Sequence, residues 1–224
     1  MTPQGLRERL AAVPALAAAA PGDQGPLAFT RARPAGTTTR RSAVLITFSD
    51  GHGAGGPDVL LTERASTLRS HAGQVSFPGG GVDADDDGPV GAALREAHEE
   101  TGLPPDAVEV LGALPDLPLP VSSHLVTPVL AWWWRPAPVG PVDAAEVAAV
   151  VRAPVDELVD PANRFTNRHP SGYVGPGFRV RGLYVWGFTA GLLSHVLQLA
   201  GLERPWDDTR PEPLPDDVRA MLRP

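Results

Sequence analysis

The chain has 224 residues, enough for one domain with a full hydrophobic core and too few for two of ordinary size. Apolar residues make up 42% and charged residues 20%, the range of a globular protein, and the formal net charge of -7 argues against long polynucleotide partners. With no cysteine, a disulfide, a zinc–thiolate site and a cysteine nucleophile are all excluded, which is compatible with a cytoplasmic location.

The 26 prolines and 24 glycines predict many loops. A first helix is expected over about 4–19, broken near Pro14. Residues 10–20 superficially resemble a signal peptide, but an Ala-rich helix packed on the domain accounts for them. A connector runs to about 41, so that 1–41 form an N-terminal extension. Residues 43–48 and 58–63 read as strands around the turn Gly51–Pro57. A loop-rich stretch follows through Gly79-Gly80-Gly81 and the aspartates at 83, 85, 86 and 87. Pro89 suits the first turn of a helix over 89–101, and Gly102 suits its end.

Beyond it, strands are expected at about 108–114, 125–134 and 146–151, with a helical turn at 154–159. Residues 162–182 read as irregular, with Asn163, Arg164, Asn167, Arg168 and His169 as candidates for a substrate loop. A strand at 183–187 leads into a helix at about 188–201, which explains the apolar stretch 183–202 better than a membrane span does. The domain is expected to close at about 202, leaving 203–224 as a mobile tail rich in Pro, Asp and Arg. Strands on both sides of a central helix imply a mixed sheet between helices.

The chemistry concentrates in Arg95-Glu96-Ala97-His98-Glu99-Glu100-Thr101-Gly102. Spacing of i, i+3, i+4 puts Glu96, Glu99 and Glu100 on one helix face, where they repel one another. A hard divalent cation with oxygen ligands relieves that repulsion. The glycine-rich turn just before the helix, Gly80 included, is able to bring backbone carbonyls near such an ion. Arg95 is placed to pair with a carboxylate and hold it.

This pattern resembles the Nudix box. It runs Gly81, five residues, Asp87, seven residues, then Arg95-Glu96-Ala97-His98-Glu99-Glu100-Thr101-Gly102-Leu103, with Asp87 in place of the usual glutamate. Upstream lie Leu60-Leu61-Thr62 and Arg64; Leu68-Arg69, His71, Gly73-Gln74-Val75 and Phe77-Pro78-Gly79-Gly80; then Asp83 and Asp86. These pieces are similar to the coenzyme A pyrophosphatase branch of the Nudix hydrolases. The resemblance implies an α/β/α sandwich with a mixed sheet and Mg²⁺ or Mn²⁺ as cofactor. It implies Glu99 and Glu100 as main metal ligands, Glu96 as ligand or water activator, and Arg95 as a positioning group. The implied reaction splits coenzyme A into 3′,5′-ADP and 4′-phosphopantetheine.

Arg64, Arg69, His71 and Gln74 are the expected substrate-binding residues; the arginines are equally suited to pairing with the Asp83–Asp87 cluster, and the histidine to hydrogen-bonding its loop. Glu146 is a candidate distal carboxylate. Trp132-Trp133-Trp134 reads as strand, with Trp133 facing away from the other two. Those rings suit core packing, a subunit interface such as a homodimer's, or stacking on an adenine. Two competing functions are hydrolysis of ADP-ribose or a dinucleotide, and a silent nucleotide-sensing domain. The expected partner is a small nucleotide, with neither long nucleic acid nor membrane.

Overall fold

The computed structural model describes residues 2–19, 40–53, 55–68, 72–119, 124–169, 172–209 and 211–220. The first helix, α1 (Pro3–Ala19), runs unbroken through Pro14, correcting the break expected there. Its buried residues Leu6, Leu10, Val13 and Ala17 recur every three or four positions, the stripe of a helix with one face in the core. Pro14 lies against Gly112, where a Cβ would come within 2.9 Å of the proline ring. Arg7 Nε donates to Glu109 Oε2 at 3.0 Å, close to Gly112 in the chain.

The main sheet is built on β1 (Arg40–Ser49) and β2 (Asp58–Arg64), an antiparallel pair joined through the glycine-rich turn. Two short strands, β3 (Val75–Ser76) and β4 (Gly79–Gly81), pair with β2 and β1 respectively. The stretch expected to be loop is therefore stitched into the sheet. After α2 (Gly88–Thr101) come β5 (Val108–Ala113), β6 (Leu117–Leu119), β7 (His124–Trp133) and β8 (Val147–Pro154). β1 and β7 run parallel over ten residue pairs, whereas β5, β6 and β8 join antiparallel, so the eight-stranded sheet is mixed.

A short helix α3 (Val155–Leu158) leads to a second sheet of β9 (Arg164–Arg168), β10 (Val174–Val180), β11 (Leu183–Val185) and β12 (Pro211–Pro213). Residues 162–182, read as irregular, thus hold two full strands. α4 (Gly187–Leu199) follows β11, and α5 (Asp216–Ala220) follows β12. The segment from Glu203, whose composition suggests a tail, is laid against this second sheet: β12 pairs in parallel with β9. Glu203 meets the buried Arg164 at 3.1 Å, so an ion pair anchors what composition alone leaves loose.

Two cores result, one on each face of the main sheet. Ala92, Ala93 and Ala97 of α2 pack on Leu45, Leu60 and Trp133. On the other face, α1 and α4 pack on Ile46, Leu61 and Trp132 together with Phe178 and Val180 of the second sheet. This is an α/β/α sandwich. Trp132 and Trp133 point to opposite faces, as alternation requires, and both are buried; Trp134 lies beyond the strand and is exposed. Neither buried indole is available to stack on a ligand. Among the described residues, no helix is long and apolar enough to cross a membrane.

Candidate active site

α2 begins behind Asp87 and Gly88, has Pro89 in its first turn, and ends where Gly102 takes φ +73° and donates its N–H to the His98 carbonyl at 2.8 Å. Only a glycine adopts that left-handed turn without strain. The helix buries its alanine face, so Glu96, Glu99 and Glu100 emerge along one flank with graded exposure. Glu100 is buried, Glu96 is 19% exposed at its side chain, and Glu99 is 57% exposed.

Each carboxylate is fixed differently. Glu100 Oε2 accepts the N–H of Gly79 at 3.1 Å, which ties the helix to β4. Burial pushes its carboxyl up to about 7. The Gly79 N–H and the Arg64 charge work against that rise, and the charges of Glu146 and Glu96 reinforce it. Glu96 lies against the backbone of Gly80. Its carboxyl is also raised, first by burial and then by Glu99 and Glu146, with Arg95 opposing.

Arg95 is the hub. Its Nε and Nη2 donate to the two oxygens of Asp86, both at 2.9 Å. Nη1 donates to Glu96 and Glu99 at 3.0 Å each, and Nη2 also reaches the Gly81 carbonyl at 3.0 Å. Asp86 in turn accepts the Asp83 N–H at 2.8 Å. The guanidinium and that N–H hold the Asp86 carboxyl down to about 2, with burial opposing. The aspartate that closes onto the helix is therefore Asp86, one position before the Asp87 of the spacing pattern. Asp87 sits at the helix N-cap and makes no side-chain capping bond.

The remaining candidates divide. Arg64 is not in the aspartate cluster, whose partner is Arg95. It lies near enough to Glu100 to act on its charge, and its buried Nε has no hydrogen-bond partner among the described residues. Gln74 is bound through its backbone to Arg64: its carbonyl accepts the Arg64 N–H at 3.0 Å. Arg69 and His71 lie outside the described residues. Glu146, at the entry to β8, acts electrostatically on both Glu96 and Glu100, and its carbonyl accepts the Ala65 N–H at 2.9 Å. Arg164, Asn167 and Arg168 belong to β9 of the second sheet, Asn163 ends the turn before it and donates its amide to the Glu157 carbonyl at 2.9 Å, and Asn167 spends its amide on the carbonyls of Gly175 and Pro176 at 2.9 and 3.0 Å. His169, the fifth of these candidates, stacks on Trp186 with ring centres 5.7 Å apart. Gly79 and Asp86 are the residues whose roles spacing alone does not reveal.

The donor set is all oxygen and strongly acidic, which fits a hard divalent cation rather than a soft one. As the side chains stand, Glu96 and Glu99 both face Arg95. Among the described residues no three His, Asp or Glu side chains converge on one point. Glu99 is exposed, so it is able to turn toward Glu96 and Glu100 without disturbing the core.

A family model described as the NUDIX domain matches residues 39–173. Curated relatives named "Uncharacterized Nudix hydrolase NudL" include that of Enterobacter sp. (strain 638), 39% identical over 160 residues, covering 66% of this chain and 77% of the relative. The same-named protein of Cronobacter sakazakii (strain ATCC BAA-894) is 42% identical over 158 residues, covering 66% and 78%. Among solved structures, the Nudix hydrolase RenU of M. smegmatis aligns with 26% identity and a TM-score of 0.44 over 55% of this chain and 75% of that one. The NUDIX domain of Shewanella oneidensis NrtR, complexed with ADP ribose, aligns with 19% identity and a TM-score of 0.43 over 57% and 81%.

Proposed function

Because the chain belongs to the Nudix family, matched over residues 39–173, we propose that it is a divalent-metal-dependent pyrophosphohydrolase that cleaves the diphosphate of coenzyme A or its derivatives. The observation that carries this reading is the docking of the carboxylate helix on β4. Glu100 is seated on the Gly79 N–H, Glu96 against Gly80, and Arg64 stands close by.

Glu96, Glu99 and Glu100, with the Gly80 carbonyl, would hold Mg²⁺ or Mn²⁺. When bound, the ion supplies Lewis-acid stabilisation of phosphoryl oxygens and a more acidic water. The protein's own groups do the rest. Arg64 brings positive charge to the anionic diphosphate. Arg95, locked on Asp86, holds Glu96 in place. Glu96, which is partly exposed, or another of these glutamates takes the proton of the attacking water. Attack at phosphorus breaks the P–O–P bridge and leaves 3′,5′-ADP and 4′-phosphopantetheine. The substrate assignment is supported by the upstream run from Leu60 to Asp86, whose pieces stand in the order of the coenzyme A branch.

The test is hydrolysis of coenzyme A by purified protein with Mg²⁺ or Mn²⁺, the products separated by mass. Both products are expected, lost on chelation and in Glu100→Gln. Cleavage of ADP-ribose or a dinucleotide in place of coenzyme A overturns the substrate and keeps the chemistry. Nucleotide binding with no cleavage of any of them overturns the enzyme.

A further inference from the structure

On the face of the main sheet opposite α2 there is a cavity of about 260 Å³. Its walls include Glu63 of β2, Gln74 and Val75 at β3, Tyr184 and Trp186 around β11, and Val218 of α5. Alternation along β2 explains the separation. Leu61 and Glu63 lie on this face, whereas Leu60 packs toward α2 and Arg64 acts on Glu100 of that helix. Even so, the cavity and the carboxylate helix share one end of β2, because Arg64 is paired through its backbone with Gly73 and Gln74 of the cavity wall.

The lining chemistry is selective. Trp186 is held flat by stacking on His169, with ring centres 5.7 Å apart and planes 11° apart. Tyr184 is likewise stacked on Phe165 at 4.7 Å. The cation at the rim, Arg181, is taken up by Glu157 at 3.0 Å. Glu63 is the one carboxylate among the described wall residues. A carboxylate only accepts hydrogen bonds, so it repels phosphate and selects a ligand that donates. The volume falls just below the usual 300–1,000 Å³ of whole-ligand pockets, which suits one ring system rather than a whole dinucleotide.

We propose that this cavity is the base subsite: it takes an amino-substituted nucleobase, whose exocyclic amine donates to Glu63 while its ring lies against the aromatic walls. The assignment rests on the preceding reading for its phosphate end, which stays on the Arg64–Glu100 side of the sheet.

The experiment is equilibrium titration of the full chain with ADP and with IDP, whose hypoxanthine carries a carbonyl in place of the amine. The unmodified protein is expected to prefer ADP by about tenfold, the scale of one charge-assisted hydrogen bond. Glu63→Gln, which donates as well as accepts, brings the two affinities to within about twofold. Equal affinities in the unmodified protein, no binding of ADP, an ADP preference untouched by Glu63→Gln, or competitive displacement of ADP by pantetheine each overturns the subsite. Coenzyme A hydrolysis is scored on the same preparations. A Glu63-dependent preference without that hydrolysis sinks only the reaction, and hydrolysis without the preference sinks only the subsite.

Discussion

Gly80 and Glu96 are in direct contact: a Cβ placed on Gly80 would lie 2.4 Å from Glu96 Oε1 and 2.5 Å from its Cδ. The obstacle is the far end of a flexible side chain, so the fold can yield where the chemistry cannot. Gly80→Ala is expected to leave the melting temperature nearly unchanged while lowering kcat by roughly 10²-fold, the cost of misplacing a reacting group by about 1 Å. Gly79→Ala is the contrasting case. Its Cβ would meet the Ala43 carbonyl at 2.3 Å and Val44 Cα at 2.7 Å, both backbone, so protein stability falls together with activity. Paired thermal melts and rate measurements separate the two; equal melting losses in both variants refute the distinction.

Glu100 should trade stability for function. A carboxyl raised by burial to about 7 destabilises the fold when ionised, by an amount that grows as pH rises above the unfolded value near 4.5 and is complete above about 7. Glu100→Gln keeps an acceptor for the Gly79 N–H and removes the buried charge. In chelated buffer at pH 8 it is expected to stabilise the protein by about 2 kcal/mol, with little gain at pH 5. Activity is lost at both. Denaturant titrations at the two pH values check this, and destabilisation by Glu100→Gln at pH 8 contradicts it.

Asp86 runs the opposite way. Its carboxyl is held down to about 2 by Arg95. Its contribution to stability is present in full above the unfolded value near 4 and is lost as pH falls through about 2. The melting difference between the unmodified protein and Asp86→Asn should therefore be constant from pH 8 to 5 and shrink below pH 4. A difference that persists undiminished at pH 2 rules out the Arg95 pair as its source.

Arg164 depends on a residue 39 positions away. Its side chain is 1% exposed and lies between the rings of Phe178 and Trp206, at 4.3 and 4.6 Å from their centres. Glu203 supplies the counter-charge. Glu203→Ala leaves that cation buried without it and is expected to cost about 3 kcal/mol, the lower end for breaking a buried pair because Glu203 is itself 27% exposed. Below the melting transition, turnover should be unaffected, since neither Arg164 nor Glu203 lines the cavity or touches the carboxylate helix. Chemical denaturation with parallel rate measurements tests both halves, and unchanged stability refutes the anchoring role.

The features legible in the chain alone are local. Glu96, Glu99 and Glu100 share a helix face because the helical repeat is a property of consecutive residues. Pro89 and Gly102 bound that helix because their backbone preferences act within one turn. The alternation of Trp132 and Trp133 is legible for the same reason. Tertiary structure decided what depends on partners distant in the chain. β3 and β4 are too short to show a period and exist only through pairing with β2 and β1. β10 carries glycine and proline, and it becomes a strand because β9 and β11 hydrogen-bond to it from either side. Whether Asp86 or Asp87 meets Arg95, which face of the sheet Glu63 and Arg64 each occupy relative to the carboxylates, and how deeply Glu100 is buried were all settled by packing. Burial and pairing are relations between segments, and no window of sequence contains both members.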